Sequence, residues 1–181
     1  MIRFTRRERR EEAKLASSFS EKIDTLSMNL GKLVAWVVLG NIGALVYEFF
    51  ARHFFQSPTV WSYDMTYFLY GTHFLLGAAY TLYLRSHIRI EIFYQRLSPR
   101  WQAIFDMAGY LIFFFPVMLI LIYAGIEFAG RSFEINEKSG LSPWRPYLYP
   151  YKAIVTLSLF FLMLQGVAEF LRSAAKLKKG K

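Results

Sequence analysis

The chain has 181 residues, of which 55% are hydrophobic and 19% aromatic, and its formal net charge is +9. This composition is rich in apolar residues for a soluble domain. The lack of cysteine excludes disulfides and metal sites with cysteine ligands. The basic residues lie in predicted loops and tails, which argues against a nucleic-acid-binding protein.

Four stretches of the sequence lack Asp, Glu, Lys and Arg. They cover residues 33–47, 65–84, 107–126 and 153–168. A helix needs about 20 mostly apolar residues to cross the hydrocarbon core of a bilayer. The second and third stretches meet this length, and the other two reach it if Glu48 and Glu169 lie near a membrane face. Helices of a soluble bundle would carry a polar stripe, which none of the four shows.

The pattern predicts an all-α membrane protein with four transmembrane helices, an amphipathic N-terminal segment and a short interfacial helix between helices 2 and 3. No cleavable signal peptide is evident, so helix 1 is expected to remain. The predicted segments are a charged, amphipathic cytoplasmic tail at 1–25, helix 1 at 26–52, helix 2 at 62–84, a cytoplasmic interfacial segment at 86–99, helix 3 at 102–130, an outer loop at 131–151, helix 4 at 152–173 and a basic cytoplasmic tail at 174–181.

The distribution of basic residues predicts the orientation. With both tails and the second loop inside, 17 Lys and Arg lie in the cytoplasm and five lie outside. The positive-inside rule therefore predicts that both termini are cytoplasmic.

The N-terminal segment has a helical period, because Phe19, Ile23, Leu26, Leu30 and Leu33 recur at spacings of four and three. We expect an amphipathic helix that lies on the membrane and leads into helix 1.

Prolines mark the predicted loops and one predicted bend in a helix. Ser57-Pro58 ends helix 1, and Pro116 predicts a kink in helix 3. In the outer loop at 131–151, three prolines lie among the four aromatic residues Trp144, Tyr147, Tyr149 and Tyr151. Such a loop either anchors at lipid headgroups or forms a docking surface for another protein.

Two pairs of opposite charge lie at predicted helix ends with i,i+4 spacing. Glu48 and Arg52 close helix 1, and Glu127 and Arg131 close helix 3. Such pairs stabilise helices in water by about 0.2–0.5 kcal/mol, and we interpret both as structural. Asp64 opens helix 2, where a carboxylate interacts favourably with the helix dipole.

No pattern for catalysis, metal binding or a cofactor is present, since the chain lacks a phosphate-binding loop and a nucleophile elbow. Four simple spans without a charge at mid-membrane offer no transport site, so the sequence favours an accessory membrane subunit whose partner carries such a site. Two alternatives to this interpretation remain open. The chain could anchor a redox complex that uses His73, which lies near mid-membrane. It could also be a small self-assembling transporter that uses Glu48.

Several short motifs occur in a recognisable order between residues 33 and 172. They are Arg52, Trp61-Ser62-Tyr63-Asp64, Gly77-Ala78-Ala79, His87-Ile88-Arg89-Ile90-Glu91, Arg96-Leu97, Leu141-Ser142-Pro143-Trp144 and Pro150-Tyr151-Lys152-Ala153. Together these motifs resemble the small, DctQ-like membrane subunit of tripartite ATP-independent periplasmic (TRAP) transporters. Asp64 and Glu91 depart from the residues more common in that family but keep the charge.

The resemblance implies a scaffold role beside a large elevator-type membrane subunit, which imports an organic acid with sodium. A periplasmic binding protein would deliver the organic acid. The resemblance also implies a bacterial inner membrane, a periplasmic location for loop 131–151, and no cofactor. His87, Arg89 and Glu91 would orient the inner segment. The residues expected to dock the binding protein are Trp61, Trp144, Arg145 and Tyr147.

Overall fold

The computed structural model describes residues 6–84 and 98–179, and within these segments every regular element is helical. This confirms the all-α prediction for the described part of the chain. An isolated antiparallel bridge joins Lys138 and Tyr147. The helices are α1, Arg6–His53; α2, Ser62–Tyr83; α3, Pro99–Gly109; a π-helical turn, Tyr110–Phe114; α4, Phe115–Glu134; and α5, Tyr149–Lys179.

Helix α5 is the centre of the bundle, because it packs against α1, α2, α3 and α4, while α1 also packs along α2. Glycines allow close approach at these contacts. A Cβ at Gly31 would lie 2.7 Å from Tyr80 Cγ, and one at Gly125 would lie 2.8 Å from Thr156 Oγ1. Small residues are usual at helix contacts in membranes, where association depends on close packing.

Helix α1 is much longer than a membrane crossing requires. Its 48 residues correspond to about 72 Å along the axis, against a hydrocarbon core of about 30 Å. The sequence predicted a tail at 1–25 and a helix at 26–52, and from Arg6 onward the structure joins them in one helix. No proline or glycine interrupts residues 6–30, so nothing in this stretch breaks the helix.

Within the described residues, three helices are long and apolar enough to cross a membrane by length and composition. They are Ser18–His53, Trp101–Glu134 and Tyr149–Ala175. Helix α2 has 22 residues, but five tyrosines, three threonines and one histidine lower its hydropathy. A fourth crossing by α2 therefore stays a prediction. The interfacial helix predicted at 86–99 lies almost wholly outside the described residues.

A π-helical turn connects α3 to α4 just before Pro116. Proline has no N–H to donate to the carbonyl of Ile112, and its ring crowds that carbonyl. The wider π-helical turn accommodates this change in hydrogen bonding. Phe114, the last residue of the turn, packs onto α5 at Gly166, where a Cβ would collide with the Phe114 ring.

The exterior of the bundle is apolar, and the largest fully buried side chains among the described residues are polar. Trp36, Phe113 and Ile120 are each about 70% exposed, whereas Gln165 and Asp64 are fully buried. A large exposed apolar surface marks contact with a membrane or another protein. Asp64 and Gln165 belong to two separate polar clusters.

Candidate functional site

Asp64 lies in the first turn of α2 and is fully buried. Its carboxylate binds the loop between α4 and α5. Oδ1 accepts a hydrogen bond from Ser139 Oγ at 2.5 Å, and Oδ2 accepts one from Ser142 Oγ. Hydrogen bonds to an ionised acceptor are stronger than neutral ones, and a helix N-terminus favours a carboxylate. Asp64 therefore fastens this loop to the start of α2.

The two serines carry this interaction into the loop backbone. Ser139 Oγ accepts a hydrogen bond from the Leu141 amide at 3.1 Å, and Ser142 Oγ accepts one from the Trp144 amide at 3.2 Å. A hydroxyl can donate one hydrogen bond while it accepts others. Each serine thus donates to Asp64 and accepts from the backbone two residues later, which fixes the backbone at Trp144.

The loop also folds back on itself around the isolated bridge. The Ser139 amide donates to the Pro146 carbonyl at 2.8 Å, and the Leu148 amide donates to the Glu137 carbonyl at 2.9 Å. Backbone hydrogen bonds on both sides of the bridge therefore make residues 137–148 a short, closed hairpin.

An ion pair attaches this hairpin to the first turn of α5. Lys152 Nζ lies 2.5 Å from Glu137 Oε2 and 3.5 Å from the centroid of the Phe128 ring, and Lys152 is only 8% exposed. The hydrogen bond from Lys152 holds the pKa of the Glu137 carboxyl below its ordinary value of 4.5. A buried ammonium needs such a partner, so the pair ties α4, the hairpin and α5 together.

The turn between α1 and α2 is held by a second carboxylate. Glu48 Oε1 accepts a hydrogen bond from Arg52 Nη2 at 2.7 Å, and Glu48 Oε2 accepts from the amide and hydroxyl of Thr59 at 3.1 and 2.5 Å. Trp61 stacks on Tyr47 with ring centroids 5.8 Å apart. Both oxygens of Glu48 are therefore engaged in fixing the turn.

The two loops meet at Asp64 and form one surface, which we call the loop platform (residues 54–64 and 135–150). Trp144, Arg145 and Tyr147 are exposed on it, and Lys138 Nζ lies 5.2 Å from the centroid of the Tyr147 ring. Arg145 has a φ of 48°, which is uncommon for a residue other than glycine. This aromatic and basic surface is suited to binding another molecule, and the chemistry of its residues does not suggest catalysis.

Comparison with known proteins identifies the family of this chain. The family described as "Tripartite ATP-independent periplasmic transporters, DctQ component" matches residues 42–176. The chain belongs to this family. The resemblance found in the sequence is thereby confirmed, and the family is one of transporter components rather than enzymes.

The DctQ-family chain is also similar to a longer protein. "Sialic acid TRAP transporter permease protein SiaT" from Haemophilus influenzae (strain 86-028NP) is 23% identical over 142 residues. The match covers 76% of this chain and 23% of the relative. The chain therefore spans about a quarter of the length of this curated relative. No solved structure matches the chain significantly.

Part of the predicted family motif comes together at the loop platform of this DctQ-family chain. Arg52, Trp61 and Asp64 all lie at or beside its first turn. Gly77 lies within α2 at its contact with α1, where a Cβ would be 3.7 Å from Val34. The remaining motif residues, His87, Arg89 and Glu91, lie outside the described residues.

The two helix-end pairs have different surroundings. Glu127 binds Arg131 with both side chains substantially exposed, whereas the Glu48 side chain is mostly buried and also binds Thr59. Exposed ion pairs contribute about 0–1 kcal/mol to the free energy of unfolding. Of these two pairs, the one that contains Glu48 connects a helix to a loop of the platform.

A second polar cluster, which the sequence did not predict, joins α1 to α5 away from the platform. Gln165 accepts a hydrogen bond from Ser27 Oγ at 2.7 Å and donates one to Asp24 at 3.2 Å. Arg172 binds both Asp24 and Glu169. Gln165, Glu169 and Arg172 follow spacings of four and three, which place them on one helical face. This polar face was the signal in the sequence that could have predicted the cluster. We call these five residues the α1–α5 cluster.

Proposed function

We propose that the chain is the small scaffold subunit of a TRAP transporter, and that it supports a large elevator-type permease subunit. The family match over residues 42–176 carries this proposal. The apolar exterior supports it, because a bundle with this exterior has ample surface for both lipid and a larger membrane protein.

The proposed topology has four crossings in a bacterial inner membrane, with both termini in the cytoplasm and the loop platform in the periplasm. The excess of basic residues in the tails and the second loop supports this orientation. The length of α2, about 33 Å for 22 residues, supports a fourth crossing.

The loop platform is the proposed contact for a periplasmic binding protein. Trp144, Arg145 and Tyr147 are its exposed aromatic and basic residues, and Trp61 lies half-buried beside Tyr47. Aromatic residues and arginine are enriched at protein interfaces. The hydrogen bonds at Asp64 hold this surface in place before binding, which reduces the entropic cost of docking.

The proposed cargo is an organic acid that enters together with sodium. The similar Haemophilus protein is named for sialic acid, and the family resemblance implies import of a carboxylate. In this scheme the binding protein and the large subunit select and move the acid, and the present chain contributes support and docking.

The surroundings of Glu48 and His73 favour this scaffold role over the two alternatives. Glu48 is occupied by Arg52 and Thr59 near the end of α1. His73 Nδ1 bonds to the Leu69 carbonyl within its own helix at 3.1 Å. Neither side chain offers the deep carboxylate or the facing pair of histidines that transport or haem binding would use.

Affinity purification of the tagged chain from its native membrane in a mild detergent tests the scaffold role. We expect a multi-span permease subunit at a one-to-one ratio, identified by peptide sequencing. A tagged, unrelated four-helix membrane protein of similar expression is the control. A chain that purifies alone, or with a haem-bearing partner, would refute the proposal.

A further inference from the structure

One face of α2 exposes a row of aromatic side chains. The row follows spacings of four, three and four, so it forms one ridge along the helix. The opposite face is buried against the bundle at Leu76, Ala79 and Leu82. The ridge consists of Tyr63, Tyr67, Tyr70 and Phe74, which are 62%, 48%, 58% and 65% exposed.

Two polar groups lie together beside this ridge. The rings of Tyr70 and His73 are 5.2 Å apart and meet edge to face. His73 Nδ1 bonds to the Leu69 carbonyl, which leaves Nε2 without a partner among the described residues. The Tyr70 hydroxyl likewise has no hydrogen bond to a side chain or backbone group in the part of the chain that the structure describes.

These groups lie deep in the proposed membrane. Tyr70 is eight residues and His73 eleven residues after the start of α2 at Ser62, which corresponds to about 12 and 16 Å along the axis. Half of the hydrocarbon core is about 15 Å. A polar group at this depth is unfavourable against lipid tails unless a protein group satisfies it.

The exposed face of α4 differs in chemistry. Its middle presents mainly aliphatic residues such as Leu119, Ile120 and Ile126, with Tyr123 as the single tyrosine of that helix, and Phe128 and Phe133 are exposed toward its end. An aliphatic face suits lipid chains. The α2 face combines polar atoms with large aromatic rings, which are enriched at protein interfaces, and neighbouring membrane helices commonly exchange side-chain hydrogen bonds.

We propose that the α2 ridge is the seam against which a transmembrane helix of the large permease subunit packs, with a hydrogen-bonding group of that helix facing Tyr70 and His73. This inference rests on the proposed function. The length of the Haemophilus relative favours this occupant over a second copy of the chain. In that relative, the segment similar to α2 is part of a longer permease polypeptide, and the match covers only 23% of it. The remaining part of that polypeptide is therefore joined to the segment similar to α2.

Site-specific photocrosslinking in the native membrane tests the seam. The photoreactive amino acid p-benzoyl-phenylalanine replaces Tyr67, Tyr70 or Phe74 on α2, one at a time, and Ile120 or Tyr123 on α4 as controls. We expect the α2 positions to crosslink to the large permease subunit, identified by peptide sequencing, and the α4 positions to give little protein adduct.

The outcomes separate this inference from the proposed function. Crosslinks from α4 but not from α2 would overturn the seam while a copurifying permease still upheld the scaffold role. If the α2 positions give adducts of twice the mass of this chain, the partner at the seam is a second copy of the chain and not the permease. If no permease copurifies with the unmodified chain, the proposed function itself fails.

A second measurement tests the polar contact. The double variant Tyr70→Phe with His73→Leu should reduce the permease recovered at limiting expression by about threefold or more, because two interhelical hydrogen bonds are lost. Tyr123→Phe is the matched control and should leave recovery unchanged. Equal recovery from the double variant and the control would contradict the proposed contact.

Discussion

At the scale of single residues, Asp64 connects two segments that are 75 residues apart in sequence. Its carboxylate accepts hydrogen bonds from Ser139 and Ser142, and their hydroxyls in turn order the backbone at Leu141 and Trp144. One buried side chain thus determines the shape of an exposed loop. We therefore expect the loop platform to depend on Asp64 more than on an exposed ion pair such as Glu127–Arg131.

Substitution of this carboxylate should have a larger effect than loss of an exposed ion pair. Asp64→Ala should lower the free energy of unfolding by about 2–3 kcal/mol, because buried hydroxyls lose a charged acceptor. The matched change Glu127→Ala removes only the exposed pair with Arg131 and should cost less than about 1 kcal/mol. Thermal unfolding in detergent measures both, and equal losses would contradict the role of Asp64.

Glu137 provides a pH-dependent prediction at the same scale. Its folded pKa lies below the ordinary value of 4.5, chiefly because of the hydrogen bond from Lys152. On acidification the unfolded chain therefore takes up the proton before the folded chain does. The contribution of the Glu137–Lys152 pair to the free energy of unfolding is fully present above about pH 4.5, and it is lost as the pH falls through the folded pKa of Glu137.

The melting temperatures of wild type and Glu137→Gln, compared between pH 7 and pH 3, test this prediction. We expect wild type to be more stable at pH 7 and the difference to shrink below pH 4.5. Glu134→Gln, an exposed neighbour, is the control. A difference between wild type and Glu137→Gln that is independent of pH would contradict the assignment.

At the scale of elements, the α1–α5 cluster explains how the long N-terminal part of α1 joins the bundle. Ser20, Ile23, Ser27 and Leu30 form a buried stripe on α1, and Gln165 of α5 binds the Ser27 hydroxyl. The sequence predicted a different face, with Phe19, Leu26 and Leu33 beside Ile23 and Leu30, for contact with a membrane surface. Of these five residues the structure buries Ile23 and Leu30 and leaves the other three exposed. The hydrogen bonds between α1 and α5 satisfy the polar side chains of Ser27 and Asp24, and they hold this part of α1 in the bundle.

Gln165→Leu should loosen α1 where it packs on α5. Ser27 and Asp24 would lose buried hydrogen-bond partners, so we expect a loss of about 1–3 kcal/mol in the free energy of unfolding. Hydrogen–deuterium exchange of residues 18–30 should also become faster. Thr25→Ala, whose exposed hydroxyl bonds to the Glu21 carbonyl within α1, is the control. Unchanged exchange in Gln165→Leu would show that the cluster does not hold α1.

At the scale of the whole molecule, the described residues include three surfaces of different chemistry. The loop platform is basic and aromatic, the α4 face is aliphatic, and the α2 ridge combines aromatic rings with polar atoms. These surfaces match the environments expected of a scaffold subunit, which are a soluble protein, lipid and a larger membrane protein. The central position of α5 leaves the outer faces of α2 and α4 free to present two of them.

Trp144→Ala should weaken docking of the binding protein without altering assembly with the permease. Truncation of an interface tryptophan commonly costs more than 1 kcal/mol, so half-maximal uptake should need about tenfold more binding protein. Trp36→Ala, at an exposed tryptophan far from the platform, is the control. An unaltered uptake rate at limiting binding protein would favour membrane anchoring by the loop instead.

The sequence predicted the helical class and the structural role of Asp64 in part, because both depend on local patterns. Long uncharged stretches indicate membrane helices, and an acidic residue at a helix start indicates a favourable dipole interaction. The partners of Asp64 were not predictable, since Ser139 and Ser142 lie in a distant loop without a distinctive motif. The α1–α5 cluster was missed for the same reason, because Asp24 and Ser27 lie more than 130 residues from Gln165 in the sequence and no local motif links them.

By itself, the sequence determined the family of this protein, its all-α class and its apolar character. These features depend on residue types, their spacing and their order along the chain. Only the tertiary structure decided which polar side chains meet, that α5 is central and that α2 exposes an aromatic ridge. Such contacts join residues far apart in sequence, and their selection depends on how all the helices pack together rather than on any local preference.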